Sequence, residues 1–511
     1  MSGSEALFKK AKFYSIKPLG YAKRNSLVEN YIKYSHSDTN YIEDMLVRVR
    51  DTFDKLTIVL GNKLIPPCPV FVLTIIHSLD YTPLNLNETS YGYCYQTLIH
   101  LALSNSGVRK DHIDSFVNFI TELAFQMFKK DSTSVSEIEF ESFYNQYRTK
   151  FWAPSFDTLN DRLLRSKVIK NEYGEYQFGY IYILYFLAAK KIAEIIDKEE
   201  GKAIINSLLE NLHIERNANI LVFATHHTKS EKFIEEAIFA AMTPFESISP
   251  ITLDKGCHYN KLLQEVVREI KNDVIEMRDP THERKKQMIA NDRLECAKAR
   301  EDPDCQDVEN NIHLRPFLQA FRSIEIVGQI IRNRKGSLET DTLKDMISEL
   351  YYTGFRMISH LGELIRKCKE DLAQEIEEKL KEKDSTSDIE RKVYRLLEFV
   401  SLQACLSIFT KLIQNIGVKE LHEVFNDVAD HINTPAAHLV SFSINSYYDK
   451  LNIKELEKLA KEFKDNIVAI QILRSRVKAY IYNNHVDYRL KQKIGSCLNM
   501  DVPAKMGRLI S

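Results

Sequence analysis

The sequence predicts a mainly α protein, built as a helical domain, a winged-helix-like module and an irregular α-helical array. Three observations predict it. Apolar residues recur at spacings of three and four rather than two along most of the 511 residues. Only 16 glycines and 13 prolines punctuate that pattern. One stretch, from Val168 to Phe178, breaks it with two apolar runs too short for helices. The length exceeds one ordinary core, and the expected division is 1–80 as a small helical domain, 81–200 as the winged-helix-like module, 201–300 as a first helical region and 301–511 as a C-terminal helical array.

The first helices are expected at Arg24 to Lys33 and Asn40 to Leu60, the second with Ile42, Leu46, Val49, Phe53, Leu56 and Leu60 on one side. Gly61 caps it, and Leu64-Ile65-Pro66-Pro67-Cys68-Pro69 runs partly extended, because a residue before proline is pushed out of the α region. Helices follow at Val70 to Leu79, Thr89 to Leu103, His112 to Phe128 and Val135 to Tyr147, with Ser134 and Glu137 as a capping box for the last. After a helix at Phe156 to Leu164, Val168-Ile169 and Tyr176-Gln177-Phe178 flank a turn centred on Gly174. Helices followed by a hairpin suggest a winged helix, with Gly179 as the pivot into a helix from Tyr180 to Ile196.

Paired helices occupy Lys202 to Met242, and the corner Pro244 to Pro250 ends them. A charged helical region runs from Tyr259 to Arg300 with an interruption at Pro280. The last third gives helices at Phe317 to Arg332, Asp341 to Lys367, Asp371 to Lys383, Asp388 to Ile413, Val418 to Ile432, Ala436 to Tyr448 and Ile453 to Tyr482, which suit stacked helical hairpins.

Lysine plus arginine is 70 and aspartate plus glutamate 71, so bulk charge recruits neither nucleic acid nor a membrane surface. The longest apolar stretches, Val70 to Ile76 and Tyr180 to Ala189, fall well short of the roughly 20 residues of a membrane span. The eight cysteines lack zinc-knuckle or C-x-x-C spacing, and with a polar start they point to the cytoplasm.

No catalytic set emerges. The nearest approach to a phosphate loop, Gly174 to Gly179, lacks the lysine and hydroxyl that must follow it. His226-His227 reads as structural or solvent-facing, since adjacent helical side chains diverge. Cys257-His258 has no second pair to complete a metal site. The run His282 to Lys286 reads as a solvated face. Tyr176, Phe178, Tyr180, Tyr182, Tyr185 and Phe186 alternate with aliphatic residues and read as a packed helix-hairpin junction rather than a base-stacking surface.

Three segments resemble the post-ATPase half of bacterial STAND-class, NACHT-like NTPase defence proteins. Ile16-Lys17-Pro18-Leu19-Gly20 with Arg24-Asn25-Ser26-Leu27-Val28 looks like the exit from an ATPase core into a small helical domain. Leu64 to Pro69 is similar to the proline segment that packs near adenine in that class, which would place Pro67 at the nucleotide. Tyr176-Gln177-Phe178-Gly179-Tyr180 continuing into Phe186-Leu187-Ala188-Ala189 resembles the passage from winged helix to sensor, with Tyr180 where relatives often carry a phosphate-touching histidine. Ile324 to Asn333, around Gly328, is similar to sensor halves of these proteins.

The resemblance implies a non-catalytic regulatory and target-sensing region of an antiviral defence switch, with ATP or ADP and Mg held by a separate upstream domain. Arg24, Phe178, Tyr182, Phe186 and Gly328 would be its interaction or switch residues. Its partners would be a foreign or cellular protein, the upstream ATPase domain and further copies after activation. The alternatives are a stand-alone helical protein-interaction scaffold, or nucleic-acid binding through Asn171 to Glu175 with Arg162, Arg165, Lys167 and Lys170.

Overall fold

The structure, a computed structural model, describes residues 19–35, 42–60, 69, 71–73, 75–76, 90–228, 230–269, 274–276, 278–301, 314–380, 386–484 and 486–503. The fold is mainly α. The chain forms two compact units, one of Met1–Leu84 with Gln287–Glu301 and one of Asn85–Lys286 with Asp302–Ser511.

In the first unit α1 (Tyr21–Ser35) packs on α2 (Ile42–Leu60). The four-residue spacing of Arg24, Val28 and Ile32 puts all three on the buried face of α1, and Val49, Phe53, Leu56 and Leu60 form that of α2. The start of α1 is capped by Asp292, which accepts hydrogen bonds from the amides of Tyr21 (2.5 Å) and Ala22 (3.2 Å). A carboxylate there satisfies amides that have no partner within the helix and complements the helix dipole. The proline bend at 64–68 lies outside the described residues; of the helix expected after it, residues 71–73 and 75–76 are helical.

The second unit opens with α3 (Ser90–Asn105) and α4 (Ile113–Lys129), followed by β1 (Ser134–Ser136), α5 (Glu137–Arg148), α6 (Phe156–Ser166), β2 (Ile169–Glu172) and β3 (Glu175–Phe178). The three strands form an antiparallel sheet in the order β1-β3-β2. The expected helix from Val135 therefore begins two residues late. Buried Val135 is taken by the sheet opposite Tyr176, and the capping box is Ser136 with Glu139 rather than Ser134 with Glu137. Phe119 on α4 meets Phe140, Phe143 and Tyr147 on α5 edge-on or tilted, and Phe140 stacks on Tyr176 at 4.3 Å, joining helices to sheet.

From the sheet the chain enters α7 (Ile181–Glu194), then α8 (Glu199–Glu210), α9 (Glu215–His227), α10 (Glu231–Met242) and α11 (His258–Glu269). The expected interruption of the charged region is present, with residues 274–276 and 278–279 outside any helix, and Pro280 opens α12 (Pro280–Glu301), as suits a residue whose missing N–H is unneeded in a first turn. Next come α13 (Arg315–Arg334), α14 (Thr340–Leu380), α15 (Thr386–Ile416), α16 (His422–Ile432), α17 (Pro435–Tyr448), α18 (Ile453–Glu462), α19 (Ile467–Asn483) and α20 (Tyr488–Leu498).

Two expectations are corrected here. The helices at Asp341 to Lys367 and Asp371 to Lys383 are one 41-residue helix as far as Leu380, because neither glycine nor proline breaks the chain between them. Conversely, the long helix expected from Ile453 to Tyr482 is two. Asn466 leaves the helical path to cap α19 through Ala469 N and to donate to Leu253 O at 2.8 Å. Among the described residues one segment, Arg395–Ile416 in α15, has the length and hydropathy of a membrane span, longer than the apolar stretches singled out above. Its buried residues, including Cys405, Phe409 and Leu412, line a packed face, and α15 lies against α11, α13, α14 and α17.

Candidate functional site

The residues that carry the functional expectation lie along the hairpin and the helix it feeds. Ile169 pairs with Phe178 and Glu172 with Glu175, leaving Tyr173 and Gly174 as a two-residue turn. Both have positive φ, 57° and 87°, the mirror-image turn whose twist matches antiparallel strands. Asn171 Oδ1 accepts from Gly174 N at 3.1 Å, closing the turn. That turn favours asparagine or glycine at both positions, yet Tyr173 holds the first one with its ring fully in solvent.

At the other end of β3, Gly179 N donates to Val168 O at 2.8 Å. A Cβ on Gly179 would collide with the backbone carbonyl of Lys167, so only glycine lets β3 turn into α7 this close to the end of α6. The helix then buries Ile183, Leu184, Phe186, Leu187, Ala188, Ala189 and Ile192 against α4 and α9. Phe186 stacks on Tyr95 (5.4 Å) and meets Phe223 (5.6 Å) and His227 (4.8 Å), an aromatic knot that joins α3, α7 and α9. An ion pair between Lys191 and Glu122 at 2.5 Å adds a polar tie from α7 to α4.

His226 and His227 belong to this knot and are structural. Phe223 lies 6.3 Å from His226 between ring centroids. Burial pushes the His226 imidazole down to about 3, with the neighbouring His227 adding to the shift. Burial likewise pushes His227 down to about 4, with Lys190 contributing. Both rings are therefore neutral at physiological pH. Among the described residues no three histidine, cysteine, aspartate or glutamate side chains are gathered as a metal site. Cys257 accepts from Asn260 N at 3.3 Å, and burial raises its thiol, so it is a capping group rather than a thiolate ligand.

Phe178 is buried, while Tyr180 is 43% exposed at the start of α7, with the Lys170 ammonium 6.0 Å from its ring. Tyr182 meets Tyr185 edge-on at 5.9 Å, and burial raises its hydroxyl to about 12, with the charges of Glu215 and Arg322 also acting on it. These four lie on one strand and helix. Gly328 lies on α13, where a Cβ would stand 2.5 Å from the Asn415 carbonyl oxygen of α15, so it marks a close helix crossing. Arg24 belongs to the first unit, buried with its guanidinium 4.1 Å from the Tyr21 ring. Pro67 lies outside the described residues.

The basic residues around the hairpin are largely engaged. Arg162 donates to Ser106 O at 2.5 Å, and Arg165 pairs with Asp161 at 2.8 Å. Farther along, Glu283 pairs with both Arg278 (3.0 Å) and Lys286 (3.2 Å), so the run from His282 to Lys286 carries its own counter-charge. Sequence reasoning missed β1, the exposure of Ile138 (82%) in the first turn of α5 and that of Trp152 (62%) in the loop after it. Ile138 carried a sequence signal in its flanking Glu137 and Glu139, whereas Trp152, between Phe151 and Ala153, carried none. Comparisons with protein-family models, curated proteins and solved structures find no match to the chain.

Proposed function

We propose that the chain is a non-catalytic regulatory and target-sensing region of a nucleotide-regulated antiviral defence switch of the cytoplasm. The observation that carries this reading is a continuous packed path. The exposed turn of β2 and β3 leads through Gly179 into α7, whose buried face meets α9, and α9 packs on α13, which crosses α15 at Gly328. A partner bound to the helical array would thus bias the setting of the hairpin through contiguous contacts.

The order helix, strand, helix, helix, strand, strand with sheet order β1-β3-β2 supports reading α4 to β3 as a winged-helix module. In the full switch an upstream ATPase domain would bind ATP or ADP and Mg. Pro67 and Tyr180 would lie toward the nucleotide, Arg24 at the domain exit, and Phe178, Tyr182, Phe186 and Gly328 on the transmitting path. The sensed partner is a foreign or cellular protein, and partner binding favours an oligomerising state.

Nucleic-acid binding is the weaker alternative. On α6 Asp157 is exposed and Asp161 neutralises Arg165, Arg162 is turned inward to Ser106, and the hairpin tip carries Glu172 and Glu175. Carboxylates on both elements that would face a phosphate backbone oppose such binding. A stand-alone helical scaffold shares the preference for protein partners and differs in having no nucleotide dependence.

The natural coding context is the first test. A P-loop domain encoded ahead of Ala6 is the expected result, and a natural gene starting at Met1 overturns the switch reading. Size-exclusion chromatography of the full-length product with ATP and with ADP then separates switch from scaffold. The switch changes its association with nucleotide, and the scaffold does not.

A further inference from the structure

We propose that the two ends of the α4 to β3 unit are complementary halves of a head-to-tail contact between copies of this chain. One end is the hairpin tip. Glu137 N donates to Gly174 O at 3.0 Å, which sets the first turn of α5 beside the turn of β2 and β3. The fully exposed Tyr173 and the exposed Ile138 therefore share this end. Exposed Glu137, Glu172 and Glu175 surround them, and the last two stand directly opposite each other in the ladder. Like charges in that position destabilise a strand pair. The tip is an apolar pair in a ring of carboxylates.

The other end has the reverse chemistry. The 12 residues of α5 rise about 18 Å and carry the chain away from the tip. At its end stands exposed Arg148, followed by exposed Lys150 and the exposed aromatics Phe151 and Trp152. Trp152 meets His112 edge-on at 5.1 Å, which brings in the entry to α4 with exposed Lys110. Here two aromatic rings sit beside Lys110, Arg148 and Lys150, while the carboxylate of Asp111, 3.8 Å from His112, is paired with Arg109 at 2.8 Å and leaves the cations in excess.

The two surfaces match in both respects, aromatic to apolar and cation to carboxylate, whereas two tips brought together would oppose carboxylates. Because the complementary surfaces differ, the contact is heterologous. Each added copy keeps one free tip and one free base, so association extends beyond a dimer. Both patches are small and their charges lie in solvent, so the contact belongs to the weak, transient class and weakens with salt. It requires neither nucleotide nor an upstream domain, and its failure leaves the switch reading untouched.

Sedimentation velocity of the whole chain over a concentration series tests it. The expected result is a rise in mean mass with concentration at low salt, reversed at high salt. A tip variant (Ile138→Ser with Tyr173→Ser) and a base variant (Phe151→Ser with Trp152→Ser) should each lower the association constant at least tenfold. Mixed in equal amounts, they should form a species capped at two copies, since one intact tip then meets one intact base. The charge-reversed pair Glu172→Lys and Glu175→Lys supplies a second tip variant that removes no apolar side chain. A wild-type chain that stays monomeric throughout overturns the proposal. So does a variant that still associates alone, or a mixture that does not recover the two-copy species.

Discussion

Alanine in place of Gly328 sets two forces of opposite sign against each other. In a helix interior the exchange alone stabilises by about 1 kcal/mol, because glycine has more backbone freedom to lose on folding. At Gly328 the added Cβ would stand 2.5 Å from the carbonyl oxygen and 2.9 Å from the carbonyl carbon of Asn415. Both are backbone atoms of α15 and cannot swing aside, so α13 and α15 must separate locally. Ile324, Val327 and Ile331 of α13 and Leu412 and Ile416 of α15 are all buried, and their contacts loosen with the separation. Overpacking of this kind costs about 1–3 kcal/mol, which exceeds the propensity gain. The expected net effect of Gly328→Ala is a loss of about 1 kcal/mol.

Gly354 of α14 is the control. Its added Cβ meets only the side chain of Leu412, at 2.8 Å, which can give where the Asn415 backbone cannot, so Gly354→Ala should cost less than Gly328→Ala. Urea titration followed by far-UV circular dichroism reads both. A Gly328→Ala midpoint at or above wild type would show that no close crossing constrains this glycine, and would refute the reasoning.

Acid provides a second test. The folded-state pKa values of His226 and His227 are depressed to about 3 and about 4, so the unfolded chain binds protons first. Stability is fully present above about pH 6.5 and is lost as pH falls toward those values, by up to about 5 kcal/mol between pH 6.5 and 4.5 for the pair. Replacing His226 with glutamine should flatten that slope in pH-dependent melts, and an unchanged slope contradicts neutral burial. Tyr173→Asn relieves a left-handed backbone position without disturbing buried packing and should raise stability by about 1 kcal/mol; a chain no more stable by urea titration contradicts strain at the turn. Phe186→Ala opens the aromatic knot and should cost about 3–5 kcal/mol, whereas Phe151→Ala at the surface should change the midpoint little. Equal losses at the two positions would contradict the assignment of Phe186 to the core.

Helices were legible wherever the spacing of apolar residues was long and regular, as with Val28 and Ile32 or Val49, Phe53, Leu56 and Leu60. What escaped depends on distant partners. The three residues of β1 form a strand only because β3 lies beside them, and Ser134-Val135-Ser136 carries no period of its own. Asn466 ends one helix and begins another because Leu253, 213 positions earlier, offers it a carbonyl. The short helix α20, absent from the sequence reading, had a local signal in Asp487, which caps Leu490 N at 2.8 Å, and in the four-residue spacing of Leu490, Ile494 and Leu498. For the candidate site, the strand of Tyr176 to Phe178, the turn at Gly174 and the packed character of Phe186 were readable from composition and turn chemistry. The close approach at Gly328 was readable as a possibility of any helical glycine, but its partner Asn415 was not.

The cap that Asp292 places on α1 has a consequence for the order of synthesis. The residues that complete the first compact unit, Gln287–Glu301, leave the ribosome roughly two hundred residues after Leu84. Asp292 lies 271 positions after Tyr21, so at ordinary translation speeds of about 5–20 residues per second α1 waits roughly 14–54 seconds for the carboxylate that holds its first turn. Through that interval Asn85–Lys286 emerges, so the amino-terminal helices, made first, gain their cap only after the first segment of the second unit has been synthesised and before its second segment, Asp302–Ser511.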